Sequence, residues 1–315
     1  MKNIIYLVLT GVALNCVYAQ TLPVKHEWKL TLKIVDEAGQ AIADANASVG
    51  YFSNHTGASI KGLTDTNGIF TASHTAYAGL LSFAVEKTGY YRTWSEHDLG
   101  FEYNPSKWDF EQTIVLKKIG KPIPMYARKA QVEIPEIDKP IGFDLMVGDW
   151  VSPFGNGIHG DFIFQAQRRW VSRNNFDSTI KLTFPSHGDG LAPVSVPLNQ
   201  GSEFRMSASA PLEGYVSEFS KSLSHTPKNG WKRDEVKEQN YYFRVRTDLD
   251  ENGNVKSALY GKIYGDFGLD PINSKTTWII FTYYLNPDPN SRNVEFDPKQ
   301  NLMKNLKPGE GVSAP

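Results

Sequence analysis

Among 315 residues there is one cysteine, Cys16, and it lies inside an apolar leader. Disulfides, thiol nucleophiles and thiolate metal sites are therefore excluded for the rest of the chain, which must be held together by packed cores. An excess of either charge is also lacking: 33 Lys+Arg oppose 34 Asp+Glu, for a formal charge of -1 and a pI near 6.7. Without a global basic field, nucleic acid is not an expected partner. After residue 20 no apolar run approaches the ~20 residues of a membrane span, so the mature chain is expected to have no transmembrane segment. Common hydrolase signatures are missing too. None of the seven histidines sits in His-Glu-x-x-His or His-x-x-Glu, and Gly-x-Ser-x-Gly does not occur. No cofactor is expected.

What is present begins with an address. Residues 1–19 place Lys2 before an apolar stretch from Ile4 to Leu14, then Val17 and Ala19 at the positions a signal peptidase reads. Cleavage after Ala19 would remove Cys16 with the peptide and send the chain to the periplasm or beyond. Lipidation at Cys16 is disfavoured, because Asn15 is not the small residue wanted directly upstream.

Past the leader, period-two alternation dominates. Trp28, Leu30, Leu32 and Ile34 share one face of a strand, and Ala45, Ala47, Val49 and Tyr51 share one face of another. Asn67-Gly68 supplies a tight turn, and further strands are expected at Ile69 to Ser73, Leu80 to Glu86 and Thr113 to Leu116. The strings Val35-Asp36-Glu37-Ala38-Gly39-Gln40-Ala41-Ile42-Ala43-Asp44-Ala45, Thr64-Asp65-Thr66-Asn67-Gly68-Ile69-Phe70 and Val85-Glu86-Lys87-Thr88-Gly89-Tyr90 occur in that order. In them, residues 24–118 resemble a carboxypeptidase regulatory-like domain. The resemblance implies a transthyretin-like, Greek-key β-sandwich of the carbohydrate-binding-like class, non-catalytic in itself; the chain departs from it in the long aromatic segment from Tyr91 to Trp108, which is expected to be an enlarged loop before the last strand.

Four prolines, Pro122, Pro124, Pro135 and Pro140, mark 119–140 as a linker, although Tyr126 to Ile134 has strand character. Strand signals return over 141–300, which predicts a larger β-sandwich of jelly-roll-like layout, followed by a tail over 301–315. In the strings Gly148-Asp149-Trp150-Val151, Gly188-Asp189-Gly190 and Tyr260-Gly261-Lys262-Ile263-Tyr264-Gly265-Asp266, this later half resembles poorly characterised secreted bacterial proteins that carry the same N-terminal module, a likeness that implies no activity. Residues 216–225 and 298–306 are each expected to hold a turn or two of helix. The fold class is all-β throughout.

Candidate chemistry is sparse. His159-Gly160-Asp161 and His187-Gly188-Asp189 repeat one tripeptide beside predicted strands; two imidazoles and two carboxylates could form a metal or acid/base site if the loops meet, with Asp149 and Asp266 as further members. Gly-Asp is equally a turn pair. Asp248, Asp250 and Asn252 have the early spacing of a calcium loop, but Leu259 stands where the bidentate Glu belongs and the flanks read as strands, so a hairpin tip competes. Ser178 and Lys181 spell Ser-x-x-Lys on opposite faces of a strand, and 155–160 spells Gly-x-Gly-x-x-Gly without the helix a dinucleotide site needs. Tyr260, Lys262 and Tyr264 alternate on one face, where with Trp150, Tyr242 or Trp231 they could stack on sugar rings; the same pattern suits a buried strand. The expected function is a secreted, non-catalytic binding or accessory protein, with a polysaccharide or cell-surface component as partner. The alternatives are a glycan-active hydrolase and a structural envelope protein.

Overall fold

The computed structural model describes residues 25–53, 57–100, 104–196, 201–273 and 275–315. The leader, with Cys16 and the cleavage site, lies outside the described residues. The chain is nearly all β, arranged as two sandwiches.

The first sandwich contains β1 (His26–Asp36), β2 (Asn46–Phe52), β3 (Gly57–Leu63), β4 (Ile69–Ala76), β5 (Leu80–Glu86), β6 (Thr93–Asp98), a one-turn helix α1 (Pro105–Trp108) and β7 (Asp109–Leu116). One sheet runs β4-β1-β7, with β1 and β7 parallel, and the other runs β6-β5-β2-β3. Alternation decides which faces meet: Trp28, Leu30, Leu32 and Ile34 are buried against Ala47, Val49 and Tyr51 of the facing sheet. The turn into β4 is fixed by Asp65, whose carboxylate accepts the N–H groups of Asn67 and Ile69. Gly68 completes it at φ +73, where a Cβ would lie 2.4 Å from the Ile34 carbonyl oxygen. The aromatic segment expected as one long loop contributes β6 and α1. The helix starts at Asn104, whose side chain accepts the Ser106 N–H, and ends on Trp108, buried with its indole N–H donated to the Leu99 carbonyl.

The second sandwich comprises β8 (Ile123–Glu133), β9 (Pro140–Asp144), β10 (Asp149–Trp150), β11 (Phe162–Ser172), β12 (Asn175–Thr183), β13 (Gly190–Ser195), β14 (Gly201–Ser202), β15 (Glu218–Thr226), β16 (Gly230–Arg233), β17 (Gln239–Leu249), β18 (Val255–Asp270), β19 (Trp278–Leu285) and β20 (Phe296–Asn301). Its sheets run β10-β9-β11-β12-β15-β16 and β13-β17-β18-β19-β8-β20. Phe143, Phe162, Phe164, Phe243, Phe267 and Phe281 fill the space between them. Strand β14 belongs to neither of these sheets: it extends the β6-β5-β2-β3 sheet of the first sandwich by pairing with the edge of β6, and so joins the two sandwiches.

Three boundaries differ from expectation. The interval 119–140 holds β8, a strand of the larger sheet between β19 and β20; Pro124 is tolerated because it sits at the strand's start, where few ladder bonds are lost. Segments 216–225 and 298–306 are not helical but contribute β15 and β20. In β15, Phe219, Lys221 and Leu223 alternate with serines, a strand period. The tail packs back: the Glu310 carboxylate pairs with Arg128 at 2.6 Å, and Val312 lies against buried aromatics.

A third layer follows. Phe204, Met206 and Ala210 after β14, with Val294 and Phe296 before and in β20, are buried over the far side of the β17-β18-β19 sheet. Glu295 anchors this cover to the first sandwich: its buried carboxylate accepts the Tyr91 hydroxyl and the N–H groups of Gly120 and Lys121.

Candidate functional site

The two His-Gly-Asp loops approach one point, a bulge in β17 at Arg246-Thr247, where Arg246 takes φ +54. Asp161 is buried, and its two oxygens accept Arg246 Nε at 2.7 Å and Nη2 at 3.0 Å, with the Leu145 N–H as a third donor. Asp189 accepts the Thr247 N–H at 2.9 Å from the other side, and burial pushes its carboxyl up. His159 and His187 are exposed. His159 and Asp161 line a cleft of about 730 Å³ with Phe154, Ile158, Ser186 and Arg246, whereas His187 and Asp189 do not line it.

Asp144 and Arg246 complete this arrangement, and no sequence motif marks either. Burial alone would raise the Asp144 carboxyl, but the N–H groups of His159, Ile158, Val147 and Met146 outweigh it and hold the group below its ordinary 3.8. The glycine-rich loop 155–160 wraps the neighbouring Asp149, which accepts the N–H groups of Trp150 and Asn156. These carboxylates organise backbone around one guanidinium, a geometry that fixes loops.

At the Asp248 to Asn254 tip, Asp250 turns both oxygens onto its own loop, accepting the N–H groups of Asn252 and Asn254 and the Asn254 side-chain amide. Asp248 is exposed 3.5 Å from Lys256, and Asn252 is exposed. Among the described residues no group of three or more His, Cys, Asp or Glu is gathered as a metal ion would need.

The tyrosine ladder lies under the third layer. Tyr260 is 4% exposed and Lys262 fully buried; Tyr264 is half-buried, and Tyr242 and Tyr284 flank Lys262 on the adjoining strands. Lys262 Nζ sits 4.6 Å from the ring centroids of Phe204 and Tyr264 and 4.8 Å from that of Tyr284, and donates to the Tyr264 hydroxyl at 3.2 Å. That hydroxyl donates to the Pro315 carbonyl. Desolvation drives the Lys262 pKa well below its usual 10.5. The packing alternative is therefore the one adopted along this strand. Trp150 is elsewhere, edge-on to Phe143 in the sandwich core. Asp266 is also engaged inside, accepting the Tyr241 hydroxyl and paired with Lys221 at 2.6 Å.

A different aromatic row is covered only in part. Trp170, Phe176, His225 and Trp231 are successive cross-strand partners on β11, β12, β15 and β16. They share the inner face of that sheet with Ile180 and Leu182, but lie beyond Ser178, whose hydroxyl meets Thr277 on the facing side at 2.8 Å. Beyond Ser178 the sheet continues, and Phe176 is still fully buried by the rings beside it. Trp170 and Phe176 stack at 5.7 Å, Phe176 and Trp231 meet edge-on at 5.6 Å, and Trp170 and Trp231 remain 40% and 47% exposed. Within each hairpin the pairing could be read from symmetric spacing about the turn, Trp170 and Phe176 about Arg173, His225 and Trp231 about Lys228. The adjacency of the two hairpins is not visible in sequence.

No family model and no curated protein matches the chain. Solved structures do. A 3-chlorocatechol 1,2-dioxygenase from Rhodococcus opacus is 16% identical over 31% of this chain and 62% of its own, with a TM-score of 0.26. The chain thus spans less than two thirds of that enzyme's length. A DUF3823 family protein from Parabacteroides merdae is 8% identical over 86% of this chain and 98% of its own, TM-score 0.21. The shaft pilin SpaA from Lactobacillus rhamnosus is 8% identical over 75% and 93%, TM-score 0.24. At such scores and identities no activity is carried over.

Proposed function

We propose that this is an exported, non-catalytic β-sandwich protein that binds carbohydrate. The observation that carries the reading is the row of Trp170, Phe176, His225 and Trp231, whose two end indoles are exposed while Phe176 is fully buried between them. Two half-exposed indoles are held in register across four strands, roughly three spacings of about 4.8 Å apart, a rigid platform on which successive sugar rings can stack. The engagement of Asp161 with Arg246 and Leu145 supports the non-catalytic part: the candidate carboxylate that reaches the cleft has both oxygens committed to the fold. The leader pattern of residues 1–19 supports export, and the three motifs of residues 35–90 support reading the first sandwich as a regulatory-like scaffold. No helix among the described residues is long and apolar enough to cross a membrane.

Electrophoresis of the chain without its leader through gels containing different polysaccharides tests this reading. Retardation by at least one of them, with no new reducing ends after prolonged incubation, is the expected result. Unretarded migration on all gels would overturn sugar binding, and release of reducing ends would overturn the non-catalytic assignment.

A further inference from the structure

We infer that the glycan recognised by the aromatic row is anionic, an inference that rests on the carbohydrate reading above. Each end of the row carries an arginine on the same face as its tryptophan. The Arg168 guanidinium lies 4.3 Å from the Trp170 ring centroid and that of Arg233 lies 5.2 Å from Trp231. Period two explains the placement: Arg168 precedes Trp170 by two residues and Arg233 follows Trp231 by two.

The two arginines differ in what else they do. Arg168 donates to the carbonyls of Pro271 and Lys275, so it braces Trp170 against the loop before β19. Arg233 is exposed, lies within cation–π distance of its indole, and takes part in none of the salt bridges among the described residues, which join other pairs. A guanidinium beside an aromatic ring and without a carboxylate partner keeps its fork of donors for a planar or tetrahedral oxyanion.

The row's own face favours cations. Arg168 and Arg233 flank the rings and Arg173 and Lys228 sit at the two hairpin tips, whereas Arg169 and Lys232 alternate onto the other face together with Asp177 and Asp234, and Glu133 and Asp270 are the acids that act on Arg168 and Arg173. In a chain whose formal charge is -1, this is a local concentration of positive charge beside stacking rings. A neutral sugar surface needs the rings but not the cations; the combination fits a sugar bearing carboxylate or sulfate.

The test uses the leaderless chain in gels containing a polyuronate, a sulfated polysaccharide or a neutral β-glucan, with single-stranded DNA as a further polyanion. The account predicts retardation by the polyuronate or the sulfated polymer, the arm that responds identifying the anion, and weakening as salt is raised. It also predicts a loss of about tenfold or more in Trp231→Ala and in Arg233→Gln, the latter with a melting temperature that matches the parent. Retardation by the neutral glucan alone, or acidic-glycan binding that Trp231→Ala and Arg233→Gln leave intact, would overturn this inference while leaving carbohydrate binding standing. DNA binding without glycan binding, or no retardation at all, would overturn both.

Discussion

The second sandwich has two aromatic faces built from the same ingredients, rings alternating with basic side chains, and they meet opposite fates. The face on β17, β18 and β19 is roofed by the segment after β14, by the approach to β20 and by the tail, so Lys262 ends fully buried among Phe204, Tyr264 and Tyr284. The row on β11, β12, β15 and β16 has no such roof: its two tryptophans stay near half exposure, although they and His225 bury Phe176 between them. Rings under a roof are core, whose worth is burial; rings without one are surface, whose worth lies in what they can stack against. The roof exists because the first sandwich holds it: β14 pairs with β6, Phe204 packs on Tyr91, and Tyr91 donates to Glu295.

The largest effect that would break this comparison is expected at Phe204. Phe204→Ala should cost about 3–5 kcal/mol in urea unfolding, because it removes a buried ring from the roof and leaves a cavity against Lys262. A negligible cost would mean the roof is loosely held.

Asp144 extends the comparison to the cleft, where the carboxylates belong with the roofed class. Asp144→Ala should cost about 1–3 kcal/mol by stranding the part-buried N–H donors of four loop residues, and should leave glycan binding unchanged. Because the folded-state pKa of this carboxyl is depressed, its contribution is present above the ordinary 3.8 and is lost as pH falls below that value through the folded one. The parent should therefore lose more stability on acidification than Asp144→Ala, as thermal melts at stepped pH would record.

Lys262 gives a smaller, oppositely signed effect. With its folded-state pKa depressed, the unfolded chain binds the extra proton, so stability rises with pH from the folded value towards 10.5. Lys262→Met should flatten that rise between neutral pH and the onset of tyrosine ionisation, and should add about 1 kcal/mol at pH 7 by removing a buried charge without a carboxylate partner. An unchanged slope would place the ammonium in contact with water. The smallest stability effect is expected at Arg233→Gln, within about 0.5 kcal/mol, since that side chain is exposed.

Much of this architecture was legible from period two. β1, β2, β4, β5 and β7 were visible because apolar residues alternate cleanly, as at Trp28, Leu30, Leu32 and Ile34. β3 and β6 were not: Gly57–Leu63 offers only Ala58 and Ile60 as inward apolar side chains, and Thr93–Asp98 is mostly polar. The ladder at Tyr260, Lys262 and Tyr264 was seen, but its cover comes from residues far away in the chain, which no local pattern reports. The repeated His-Gly-Asp was seen as well, yet its organising partner, Arg246, is a bulged residue without a motif. For the exposed row only Trp231 stood out, because its membership depends on two hairpins lying side by side.

Hydroxyl-radical footprinting of the leaderless chain, with and without an acidic glycan, tests the contrast between the two faces most directly. Trp170 and Trp231 should be oxidised in the free protein and protected by the glycan, while Tyr260 and Tyr284 stay unmodified in both samples. Ready oxidation of Tyr260 and Tyr284 that the glycan suppresses, with the tryptophans unaffected by it, would contradict the account.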